Sequence, residues 1–129
     1  LDISVDTEWL GGVDNADYGI LFRSSSKGNY GFGISANGQY IVAEWDFEFE
    51  NDIAPYQFID WTASSVINEE GTNTLRIITS GSLFEFYING VMVNSITDET
   101  QTEGSIRLYV SHLQEVAFDN LEGLCCTNQ

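Results

Sequence analysis

Basic residues are scarce in this chain of 129 residues: Lys and Arg total 4 against 20 Asp and Glu, a formal net charge of −16. Phosphate binding needs Lys and Arg to displace counterions, so free DNA or RNA is a poor partner, and anionic membrane surfaces fall with it. Long apolar runs are missing as well. Nothing approaches the roughly 18 to 20 residues of a membrane span, so membrane insertion is not expected. Histidine occurs once, as His112. It sits at an expected turn rather than beside a Ser or Cys motif, which leaves nucleophilic catalysis without a base. A single histidine and two cysteines do not supply the four ligands of a zinc site either. No Gly-rich loop precedes a helix to cradle phosphate. No Asn-x-Ser/Thr sequon occurs, which excludes N-glycosylation at that signal.

The two cysteines are adjacent, Cys125 and Cys126. A bond between neighbours closes a strained ring, so oxidation would join one of them to another segment or chain; idle thiols on a tail are the other reading. Leu1 opens the chain with no Met and no charged-then-apolar leader, as a mature protein or a piece of a longer one would.

What is abundant points to strands. Hydrophobic residues make up 43% and aromatics 13%, with 12 glycines and one proline, Pro55. That composition folds, since a chain of this size buries roughly two-thirds of its unfolded surface. Apolar and polar residues alternate in short runs broken by Gly, Asn and Asp, and no helix-period stretch of useful length appears. Nine strands are expected: Ile3 to Trp9, Tyr18 to Ser24, Tyr30 to Ser35, Gln39 to Phe47, Thr74 to Ser80, Leu83 to Ile88, Val91 to Ile96, Ser105 to Ser111 and Glu115 to Leu121. Asn37-Gly38 and Asn89-Gly90 read as tight hairpins that need positive φ. Ser26-Lys27-Gly28-Asn29 and Ser80-Gly81-Ser82 are two more turns. The stretch from Asn51 to Asn73 is the least regular, with one helical turn expected at Ala63 to Ile67.

Strand parity puts Phe84, Phe86 and Ile88 on one face and Glu85 and Tyr87 on the other. Ile106, Leu108 and Val110 likewise oppose Arg107, Tyr109 and Ser111, and Val116 and Phe118 oppose Ala117 and Asp119. The apolar rows belong to a core, and two antiparallel sheets packed face to face are the natural solution. One β-sandwich domain over residues 1–122 is expected, followed by a tail, 123–129, that carries the cysteine pair.

The order of local motifs carries a family likeness. Its elements are Tyr18-Gly19-Ile20-Leu21-Phe22-Arg23, Asn29-Tyr30-Gly31-Phe32, Gly38-Gln39-Tyr40, Trp61, Asn73-Thr74-Leu75-Arg76, and Phe86-Tyr87-Ile88-Asn89-Gly90 followed by Val93, Asp98 and Gly104. From Tyr18 to Phe118-Asp119-Asn120-Leu121 the chain resembles the concanavalin A-like, laminin G-like jelly-roll sandwiches of secreted lectin-like and carbohydrate-binding modules. The resemblance implies an all-β, extracellular or cell-surface, non-catalytic domain. Members of that kind have one more strand before the position of Leu1, which would leave an edge open here. Fold likeness does not carry a binding site with it.

Two constellations bear on chemistry. Glu44-Trp45-Asp46-Phe47-Glu48-Phe49-Glu50 alternates carboxylates as laminarinase-type glycoside hydrolases do. Retaining chemistry needs two carboxyls about 5 to 5.5 Å apart, whereas i and i+4 on a strand lie farther apart. The preferred reading is therefore a solvated acidic face at Glu44, Asp46 and Glu48, backed by Trp45, Phe47 and Phe49 in the core. No cofactor is expected, with calcium on these oxygens the weaker alternative. The second constellation is Arg76, Glu85, Tyr87, Arg107 and Tyr109. Were their strands neighbours in one sheet, two tyrosines and two arginines would meet on one surface and take a sugar by ring stacking and hydroxyl pairing. Tyr56 and Trp61 could stack too, although Trp61 reads first as core.

The expectation is thus an extracellular module that binds carbohydrate, with Tyr87, Tyr109, Arg107 and Arg76 as contacts and Glu44 and Asp46 at the rim. The rival is a structural or adhesive subunit of a fibre or surface protein. It would join other copies or neighbouring domains through a β-edge or through Cys125 and Cys126. A glycoside hydrolase is the weakest alternative.

Overall fold

A computed structural model describes residues 1–47 and 56–124. Ten strands run in order: β1 Asp2–Gly12, β2 Tyr18–Ser25, β3 Gly28–Ile34, β4 Gln39–Asp46, β5 Tyr56–Ala63, β6 Thr72–Ser80, β7 Leu83–Ile88, β8 Val91–Thr97, β9 Ser105–Val110 and β10 Gln114–Leu124. They form two five-stranded sheets with neighbours β10-β1-β6-β7-β8 and β5-β4-β3-β2-β9. Every pairing with a resolved register is antiparallel. The all-β, two-sheet architecture expected from the alternation is what the chain adopts.

Alternation fills the space between the sheets. Tyr18, Ile20 and Phe22 of β2 and Tyr30, Phe32 and Ile34 of β3 meet Leu75 and Ile77 of β6 and Phe84, Phe86 and Ile88 of β7, all essentially fully buried. The sheets interlock through rings. Phe84 packs edge-on against Phe22 and Tyr30 at centroid distances of 5.4 and 4.9 Å, and Phe32 meets Phe86 at 4.9 Å. Such pairs add to the area they bury, because the edge of one ring is attracted to the face of another. Ile106, Leu108, Val116 and Phe118 pack on this core as parity requires, whereas Val110, expected with them, is 41% exposed at the end of β9.

The turns follow their chemistry to different degrees. Asn89 and Gly90 both have positive φ, 52° and 84°, and join β7 to β8 as a two-residue hairpin. Between β3 and β4 Gly38 alone is positive, at 89°. The longer loop there closes through the Ser35 N–H donating to the Gln39 carbonyl at 2.9 Å.

Two expectations are corrected. The irregular stretch contains a full strand, β5, and the segment after it is a turn closed by the Ile67 N–H on the Ser64 carbonyl at 3.4 Å, not a helical turn. β5 is hidden in the sequence because its pairing with β4 slips twice, so the adjacent Phe58 and Ile59 both pack on the core and the alternation breaks. β1 lies between β10 and β6, and the edge strands of the two sheets are β10 and β8, and β5 and β9. Glu48, Phe49, Glu50, Pro55, Cys125 and Cys126 lie outside the described residues.

Candidate functional site

The outer face of the second sheet is built by omission. β3 turns Tyr30, Phe32 and Ile34 inward, which leaves Asn29, Gly31 and Gly33 on the outward row. Two of those three positions have no side chain, and Gly19 of β2, paired with Gly33, adds a third bare position. Aromatic rings from the flanking strands fill the vacancy. The Trp45 indole of β4 lies over Gly31, where an added Cβ would sit 3.1 Å from it and 3.2 Å from Leu21. Tyr109 of β9 reaches across so that its hydroxyl stands over Gly33. A larger residue at either position would push a ring off the sheet.

Asp17, just before β2, fixes the tyrosine. Its carboxylate accepts from the Tyr109 hydroxyl at 2.6 Å and from the Ser111 hydroxyl at 2.8 Å. Its backbone carbonyl accepts from Ser111 Oγ at 2.7 Å and Gln114 Nε2 at 3.0 Å. Desolvation, followed by the charge of Asp17, holds the Tyr109 phenol well above its ordinary pKa, so it remains a donor across the physiological range.

Two cavities open along this face, of about 260 and 310 Å³, and both are lined by Asp17, Trp45 and Tyr109. They are lobes of one groove. The first is polar, with Asn15, Gln57 and His112 around the edge of Trp61. The second is more apolar, walled by Leu21, Trp45 and the exposed Phe47, with Asn29 in its lining. Among the described residues that line the groove, Asp17 is the one carboxylate.

The expected cluster of Arg76, Glu85, Tyr87, Arg107 and Tyr109 does not assemble. β6 and β7 belong to the first sheet, whereas β9 pairs with β2 in the second. Tyr87 and Arg76 therefore face outward on one side of the sandwich, and Tyr109 and Arg107 on the other, with the core between them. On the first sheet Arg76 grips Asp2 through two bonds, Nε to Oδ1 at 2.8 Å and Nη2 to Oδ2 at 2.6 Å. Its guanidinium lies 5.6 Å from the centre of the Tyr87 ring, and Tyr87 donates to Glu85 at 3.2 Å. This surface is internally satisfied and lines neither lobe of the groove.

The acidic strand also reads differently in place. Glu44 shares its parity with Tyr40 and Val42, is 7% exposed, and accepts from Gln101 Nε2 at 3.4 Å at one end of the core. Asp46, of the same parity, is half-buried opposite Gly28 at the end of β4. Neither lines the groove. Trp45 and Phe47, expected in the core, are instead a groove floor and an exposed groove wall, Phe47 being 56% exposed. Trp61 likewise turns to the groove, and Tyr56 lies exposed with its ring 4.8 Å from that of Phe58.

The groove residues missed in the sequence are Asp17, Asn29, Trp45 and His112. The signal that could have exposed Trp45 is the Gly31-x-Gly33 spacing, because glycines two apart strip one face of a strand and mark a close approach.

Comparison with known proteins fits this architecture. Residues 2–122 match the 3-keto-alpha-glucoside-1,2-lyase-like domain. The chain belongs to that family. No curated protein matches it. Among solved structures, this lyase-like domain is similar to the carbohydrate binding module CBM66 from Bacillus subtilis, with a TM-score of 0.76 at 19% identity over 93% of this chain and 71% of that one. It is also similar to a structure of A. japonicus CB05, with a TM-score of 0.67 at 14% identity over 93% of this chain and 21% of that one. The fold of the lyase-like domain is thus the jelly-roll sandwich that its motif order resembles.

Proposed function

We propose that this domain is a non-catalytic, extracellular carbohydrate-binding module whose ligand lies in the groove above Gly31 and Gly33. The observation that carries the reading is the Trp45 and Tyr109 pair held over a glycine floor beside Asp17. A sugar ring offers a C–H face for the indole and hydroxyls for the carboxylate and the phenol, and stacking with convergent polar groups is how such ligands are held. The similarity to a structure named as a carbohydrate binding module supports it. Hydrolysis by two carboxylates lacks its second member in the groove, because Asp17 stands alone there among the described residues. The charge of −16 favours neutral glycans over uronic or sulfated ones.

Affinity electrophoresis through a panel of neutral polysaccharides tests this directly. Trp45→Ala is expected to lose retention and Tyr87→Ala to keep it. Retention unchanged in the first variant and lost in the second would move the site to the other sheet.

The family's name supports a second reading. A 1,2-lyase acting on a 3-keto-glucoside removes the acidified C2 proton and expels the oxygen on C1, which requires a general base. His112 lines the polar lobe and carries the imidazole that such a step would use. Release of the C1 alcohol from a 3-keto-glucoside, abolished by His112→Ala, would establish it; no release by the wild type would dismiss it.

A further inference from the structure

The apolar lobe contains a feature that packing does not explain. Asn29 is 8% exposed, and its side-chain oxygen is buried with no donor among the described residues reaching it. A buried amide oxygen without a partner is a cost that folded proteins rarely carry, so each instance asks for a reason. Asn29 lines the lobe together with Asp17, Leu21, Trp45, Phe47, Tyr109 and Ser111, and the Phe47 ring is left largely to solvent. A ligand that completes this lobe must bring one hydrogen-bond donor and, beside it, a small apolar surface.

On the basis of the carbohydrate reading, we infer that the groove is selective for 2-acetamido sugars, with the acetamido group seated in the lobe formed by Asn29, Leu21, Trp45 and Phe47. The acetamido N–H supplies the donor for Asn29 Oδ1. Its methyl supplies the apolar contact for the leucine and the two rings. A plain hydroxyl gives the donor without the surface, and a 6-deoxy methyl gives the surface without the donor. A free 2-amino group brings donors and a charge for Asp17 but no methyl for the three apolar side chains. The rest of the sugar then reaches the polar lobe across Trp45 and Tyr109, which border both cavities.

Titration with matched methyl glycosides separates these cases: N-acetylglucosamine and N-acetylgalactosamine against glucose, galactose, fucose and the two free 2-amino sugars. The acetamido sugars are expected to bind about tenfold more tightly than their parents, because the methyl buries apolar surface against Leu21, Trp45 and Phe47 that a hydroxyl cannot cover. Asn29→Ala should reduce that preference, read as the ratio of acetamido to parent affinity, to within about twofold. The same substitution removes an unpaired buried oxygen, so its melting temperature is expected to hold or rise, which separates lost selectivity from lost folding. Equal binding of parents or of 2-amino sugars overturns the acetamido assignment and leaves the carbohydrate reading standing. Preferential binding of fucose does the same. No binding by any sugar in the set, nor by the polysaccharide panel, overturns both.

Discussion

The hydroxyl of Tyr109 occupies the space into which Gly33 would extend a Cβ. That vacancy lets the ring lie across the sheet and reach Asp17, so a residue on β3 determines the position of one on β9, with β2 between them.

Gly33→Ala is therefore expected to displace Tyr109, lower glycan affinity several-fold, and destabilise the fold by about 1–3 kcal/mol, the range for overpacking. Combining it with Tyr109→Phe, which removes the colliding atom, should recover part of the stability but not the affinity. Urea denaturation of the single and double variants measures the coupling. Strictly additive losses would show that the two side chains do not share this space.

Phe84 sits where the sheets interlock, with Phe22 and Tyr30 on it and the Arg23 guanidinium 4.6 Å from its centre. Phe84→Ala should cost about 3–5 kcal/mol, read as a shift of the urea midpoint, because the surrounding rings cannot close the cavity.

Acid should separate the two outer faces. Hydrogen bonding to Arg76 holds Asp2 below its ordinary value of 3.8, its charge adding to the effect. A carboxylate depressed in the folded state contributes stability above its unfolded pKa and loses it as pH falls through the folded value. The pair is mostly exposed and screened by water, so the expected gap in melting temperature between wild type and Arg76→Gln is only about 1–3 °C at pH 6. It should narrow towards strongly acid pH and close once Asp2 is protonated in both the folded and the unfolded state. A gap of the same size in strong acid would assign it to lost packing on Tyr87.

Among the described residues no group of three or more His, Cys, Asp or Glu could hold a metal ion. If the ligand is held by Trp45 and Tyr109 beside Asp17, as proposed, glycan binding is expected to be unchanged by a chelator. Loss of retention on chelation, restored by calcium, would point to oxygens at 48–55 or beyond.

The faces of individual strands were legible in the sequence, and the grouping of strands into sheets was not. Parity placed Phe84, Phe86 and Ile88 inside and Tyr87 and Tyr109 outside, and the structure agrees. Parity does not say which outside. Whether β9 lies by β7 or by β2 is decided by long-range pairing, and that choice put Tyr87 and Tyr109 on opposite surfaces. Trp45 misled for a related reason. An indole in an alternating run reads as core, yet the glycines of the adjacent strand had already made the outer face of β3 a place to bury it. Asp17 carried no pattern at all, because its partners Tyr109 and Ser111 lie more than ninety positions away.

The pairing of β1 with β10, and of β2 with β9, has a consequence for biosynthesis. Both sheets need strands from near the two ends of the chain, so neither can close while residues 105–124 are still inside the ribosome. Until then each sheet lacks one edge strand, and folding dominated by such distant contacts takes milliseconds to seconds. For that interval the surplus of twenty acidic side chains over four basic ones serves as a dispersant, keeping half-made chains apart until the last strand arrives.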